Sequence, residues 1–137
     1  MPNKLSGGKA LFGAIQTSGN VSVGGDLSMT GAIIPKSQVL SADGAITIKQ
    51  GVVVITKAGV CAATIADPTA TTDDFKILTI ISATAQAHTL TYATTGFNAG
   101  GSGTDVGTFG GAKGDGLTLV AYQGVWYVMN KTNVTLA

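Results

Sequence analysis

Few side chains in this sequence are able to do chemistry, and their spacing limits each of them. His88 is the single histidine and Cys61 the single cysteine. A histidine can act as a general base, but it needs a nucleophile or acid beside it, and the chain has no Glu to supply one. Ala87-His88-Thr89-Leu90 reads as the start of a strand, which favours a hydrogen-bonded structural histidine. Cys61 lies between Val60 and Ala62-Ala63, an apolar setting that raises a thiol pKa rather than activating it. Asp73-Asp74, Asp105 and Asp115 miss the Asp-x-Asp-x-Asp-Gly spacing of a calcium loop and read as turn formers. Zinc has no usual ligand set here. Gly107–Gly114 (GTFGGAKG) places Lys113 near the offset of a phosphate loop. The flanking positions hold Ala112 and Gly114, however, and no helix follows to receive a phosphate. No catalytic residue, metal ligand or cofactor is therefore expected.

The charges point the same way. Of 137 residues, 11% are charged; all eight basic ones are Lys and all seven acidic ones Asp. Without Arg the chain lacks the planar fork used for phosphate and base-edge recognition. A net charge of +1 leaves no electrostatic footprint for nucleic acid or an anionic membrane. No apolar run approaches the ~20 residues of a membrane span, and no charged and apolar leader opens the chain. Synthesis in a cytoplasm without export is expected. A single cysteine makes no intrachain disulfide.

The elements that position these residues are strands. Glycine, threonine, alanine and valine dominate, a composition that suits tightly packed β surfaces and turns. Residues 1–36 read as an extended, Gly-rich arm and residues 37–137 as a β-rich core domain. Within the arm, Asn20-Val21-Ser22-Val23-Gly24 is echoed by Asp26-Leu27-Ser28-Met29-Thr30, alternations too short to bury anything alone. Its large apolar residues, Leu11, Phe12, Ile15, Val21, Val23, Leu27, Ile33 and Ile34, are candidate anchors on a partner or a neighbouring subunit.

In the core domain, strands are expected over 45–50, 52–56, 60–65, 75–82 and 88–92. Phe75–Ser82 is apolar on both parities and reads as a central strand buried on both faces. The glycine-dense stretch 96–116 reads as a long loop. Leu117–Tyr122 and Val125–Met129 flank Gln123-Gly124, a two-residue hairpin connection with Gly124 placed for positive φ. Trp126 and Tyr127 must point to opposite faces of their strand. A last short strand follows at 133–136. About eight short strands without an amphipathic helix indicate an all-β antiparallel sandwich, jelly roll or small barrel.

The C-terminal part carries a resemblance. ILTIISATAQAHTLTY, then GFN, then FGGAKGDGLTLVAYQGVWYV and a closing TNVTL, resemble a module of tailed-bacteriophage head decoration (cement) and small virion structural proteins. GNVSVGGDLSMTGAI looks like arm or shaft segments of phage fibres. The resemblance implies a non-enzymatic homotrimer on the capsid surface, with the major capsid protein as its partner. It supplies no catalytic residues. The alternative is a head or tail fibre protein that binds host-surface glycans.

Overall fold

A computed structural model describes Gly19 and residues 21–137. Gly19 and residues 21–36 carry no strand and are exposed; Leu11, Phe12 and Ile15 lie outside the described residues. Ile34–Ala137 forms a compact unit of its own.

Ten strands build that unit: β1 Ser37–Leu40, β2 Gly44–Ile46, β3 Gly51–Ile55, β4 Ala62–Ile65, β5 Ile77–Ser82, β6 Thr89–Thr91, β7 Val106–Phe109, β8 Gly116–Tyr122, β9 Val125–Thr132 and β10 Val134–Leu136. They form two five-stranded sheets, β1-β3-β5-β8-β9 and β10-β7-β6-β4-β2, in an all-β sandwich that does not close into a barrel. The first six strands alternate between the sheets. β1, β3 and β5 are parallel neighbours in one, and β2, β4 and β6 in the other. The chain therefore winds three parallel turns, each crossover being a strand of the opposite sheet. From β7 the direction reverses: β7 runs antiparallel on β6, β8 on β5, β9 on β8 and β10 on β7. The sheets are thus mixed, and the expected antiparallel pairing holds only in the C-terminal half.

The strands are short because each turn lays down only a few residues before crossing over. β-Branched residues fill them, as a pleated, half-buried surface favours. Inward positions of both sheets meet in one core: Leu40, Val53, Ile55, Leu78, Ile80, Leu117, Leu119 and Trp126 from the first sheet, and Ile46, Ile65, Leu90, Phe109 and Val134 from the second. Tyr92 and Phe97, rings 5.4 Å apart, close it from the loop after β6.

Three details differ from the sequence reading. Stretch 96–116 is not all loop: two 3-10 turns, Phe97–Ala99 and Gly101–Gly103, lead into β7. Gly107 sits inside that strand, buried, with Leu136 and Val134 of β10 packed over its inward side. Second, Ser37–Leu40 is a strand, making ten with β7. Third, β5 is central in its sheet but buried on one face only; Leu78 and Ile80 are fully buried while Ile77 and Ile81 remain 47% and 37% exposed. Among the described residues no third sheet forms to lie over that second face.

Candidate functional site

The side chains that could do chemistry are occupied in holding loops. His88 is fully buried just before β6. Its Nδ1 accepts the Cys61 backbone N–H at 3.0 Å, so the ring proton resides on Nε2. Nε2 lies 2.9 Å from Thr84 Oγ1, which donates onward to the Lys57 carbonyl at 3.0 Å. One imidazole thus ties the start of β4 to the loop between β5 and β6. Burial pushes the His88 pKa down, with the Lys57 charge adding to it. Burial pushes the Cys61 thiol up, and its Sγ donates to the Ala42 carbonyl at 3.3 Å. Such a thiol is a poor nucleophile.

The aspartates serve turns. Asp73 accepts the Thr69 N–H and the Lys76 ammonium, both at 2.7 Å, which hold its carboxyl below the usual range. Asp115 accepts the Ala112 N–H at 2.8 Å and the Asn133 amide at 3.0 Å, with the same direction of shift. Asp74 clamps the hairpin turn through the Gln123 backbone N–H and side-chain amide, both at 2.7 Å. Asp43 pairs with Lys57 at 2.7 Å and accepts the Ala62 N–H. Among the described residues no cluster of metal-ligating side chains forms, no ligand-sized cavity opens, and no helix is long and apolar enough to cross a membrane.

The surfaces remain. At the hairpin, Gln123 and Gly124 both take positive φ, 48° and 81°, the twist a two-residue turn between right-handed strands requires. Trp126 faces inward, fully buried, and donates its indole N–H to the Ala66 carbonyl at 3.0 Å. Tyr127 faces outward, 37% exposed, and Tyr122 47%. In the arm, Val21, Val23, Leu27, Ile33 and Ile34 are all exposed, Ile34 to 88%.

Sequence reasoning missed the outer face of the β1-β3-β5-β8-β9 sheet. Strand register lays its outward residues in rows: Val39, Val54 and Ile81; Ser37, Val52, Thr79 and Thr118; Ile77, Val120 and Tyr127. Tyr122 continues the face, with the Phe75 ring 5.7 Å away. None of these outward positions is Lys or Asp. The outer face of the other sheet is different: its rows hold Ala45, Thr64, Thr91 and Val106, then Ala62, Thr89, Thr108 and Thr135. The signal for the first face was present in FKILTIIS, whose two parities are both apolar.

The free edges are treated unequally. Along β9, the Asn98 side chain accepts the Val128 N–H at 2.8 Å, so a loop covers that edge. At the opposite end no described strand pairs with the outer edge of β1 or β2. There Gln38 reaches across to β2, donating to the Ala45 carbonyl and accepting the Thr47 N–H, both at 2.9 Å.

Compared with known proteins, the chain matches no family model, no curated protein and no solved structure.

Proposed function

We propose that this chain is a non-enzymatic virion structural protein that decorates and stabilises a phage capsid shell, made in the host cytoplasm and acting as a homotrimer bound to the major capsid protein. The observation that carries this reading is how the chain divides its residues. Histidine, cysteine and the hydrogen-bonded aspartates serve turns and loops, whereas large apolar side chains are left bare on the arm and on one sheet face. Exposed apolar surface of that extent belongs to proteins that function in contact with others. The resemblance of the hairpin module to phage decoration proteins supplies the partner. Phe75, Tyr122 and Tyr127 give the fibre alternative some support, because aromatic rings also bind glycans. Among their neighbours Asp74 and Gln123 bond each other across the hairpin turn, and the rest are largely valine, isoleucine and threonine, a poor set for orienting a sugar.

Incubation with empty heads tests the reading. Full-length protein should saturate the shell and raise its resistance to heat. Deletion of residues 1–34 spares Lys36, whose carbonyl accepts the Val52 N–H at 2.9 Å beside β1, so the β domain should melt within a few degrees of the parent. The same deletion should abolish attachment. Wild-type occupancy by the truncated protein would move the docking surface to the β domain, and a full-length protein that binds glycans but no shell would favour the fibre.

A further inference from the structure

The bare face of the β1-β3-β5-β8-β9 sheet is left without an occupant when the arm alone docks on a shell. Half of this sheet is parallel, the kind of pairing that, where it makes up a whole sheet, is almost always covered on both faces. Its central strand β5 has the composition of a strand covered on both faces, yet Ile77 and Ile81 stand open. Phe75 adds an independent observation. It holds φ at 67°, a conformation costly for a bulky side chain, and it is 75% exposed. Backbone strain here presents a phenyl ring to the outside, beside Tyr122.

We infer that this face is the surface through which copies of the chain associate, sheet against sheet, with Phe75, Tyr122 and Tyr127 at one end of the contact and Val39, Val54 and Ile81 at the other.

Three arguments choose a second copy as the occupant. The first is area. Phe75, Val39, Ile77, Ile81, Tyr122 and Tyr127 are each 37–75% exposed. At about 200 Å2 for a large side chain, they leave roughly 600 Å2 bare. Half-buried Val52, Val54 and Val120 extend this toward the roughly 800 Å2 per partner of a standard interface, beyond what a monomer commonly shows. The second is charge. A different partner is selected by complementary charges, and this face offers none. Interfaces between identical subunits are the more apolar kind. The third is timing: a face this apolar needs cover from the moment the chain folds, and further copies of the chain are then at hand. Rows of valine, isoleucine and threonine on a pleated sheet also pack against their own copy at the usual ~10 Å spacing of stacked sheets.

The inference deepens the self-association part of the reading above, and its test separates the two. Sedimentation of full-length protein at micromolar concentration should give a multiple of 13.6 kDa. Val39→Lys, on an edge strand, and Ile81→Lys, on the central strand, should each sediment as monomers with an unchanged far-UV spectrum. Thr108→Lys on the outer face of the other sheet should keep the wild-type mass. Hydroxyl-radical footprinting of the wild type should show Tyr122 and Tyr127 modified several-fold more slowly than in Val39→Lys. Lysine variants that retain the wild-type mass would overturn the inference. So would a monomeric wild type, including one whose own arm shields the two tyrosines. If both variants unfold, the wild-type footprint decides: in an oligomer, tyrosines modified at the rates expected from their 47% and 37% exposure in the single chain overturn the surface, and tyrosines modified several-fold more slowly uphold it. An oligomer that ignores empty heads would sink shell decoration and leave this face standing.

Discussion

Lowering the pH through 6.5, the ordinary histidine value, brings a proton to a ring that the fold holds neutral. Nδ1 of His88 is where it must go, and Nδ1 is accepting the Cys61 N–H. Protonation sets two donors against each other and strands a buried amide. A buried donor left unsatisfied costs about 1–3 kcal/mol. The sign follows from the direction of the shift. The folded pKa lies below the unfolded one, so the stabilisation is complete above 6.5 and is lost as pH falls toward the folded value. For a domain of roughly 100 residues, that loss corresponds to a fall in Tm of about 4–12 °C. Far-UV melts of wild type and His88→Asn, at one fixed protein concentration, should be compared from pH about 7.5 to about 4.5. The asparagine oxygen keeps an acceptor for Cys61 but does not titrate. The variant should be less stable than the parent at neutral pH and flat across this window, while the parent declines. Asp43, Asp73 and Asp115, whose pKa values are lowered from 3.8, lose their contributions only at more acid pH and leave the window clear. Parallel curves for the two proteins would refute the buried, neutral imidazole as the cause.

Two substitutions check the packing argument. Trp126→Ala removes the largest fully buried side chain and strands the Ala66 carbonyl; chemical denaturation should show a loss of about 3–5 kcal/mol, with Trp126→Phe losing less. Gly51 has φ of 101° at the start of β3, and a Cβ there would run into the Lys36 carbonyl. At an ordinary strand position Gly→Ala stabilises by roughly 0.5–1 kcal/mol; Gly51→Ala should instead destabilise, and a melt at or above the wild-type temperature would remove the close approach from the account.

The hairpin was the most legible part of the chain because its instructions are local. Gln123-Gly124 demands positive φ, and the flanking alternation places Trp126 and Tyr127 on opposite faces without telling which is which. Burial of Trp126 came from the loop after β4, some 60 residues away, where Ala66 meets its indole. β7 escaped because VGTF surrounded by glycines has no strand signal of its own; β6 and β10, pairing on either side, make it a strand. β1 escaped for a similar reason, being short and mostly exposed. Parallel winding was not readable at all: alternation says which residues face inward, but not which of two sheets a strand joins. The chemistry-poor reading of His88, Cys61 and the aspartates rested on residue inventory, and their places in the structure are the turns and buried contacts that inventory favoured. The arm candidates Leu11, Phe12 and Ile15 lie outside what the structure describes. The outer sheet face was encoded in β5 but misassigned, since a strand apolar on both sides looks the same whether its second cover comes from its own chain or another.

The reversal of winding at β7 sets the order in which a ribosome can complete this domain. The parallel turns β1–β6 emerge first and coil as they come, yet their growing end, β5 and β6, stays unpaired on one side. Its cover arrives only with β7 and β8, and β10 closes on β7 later still. A nascent or prematurely stopped chain therefore carries raw strand edges that invite pairing with a neighbour. Synthesis through β10 is needed before these edges are closed, and the pairing of β10 on β7 is the step that takes the last of them out of reach of identical neighbours.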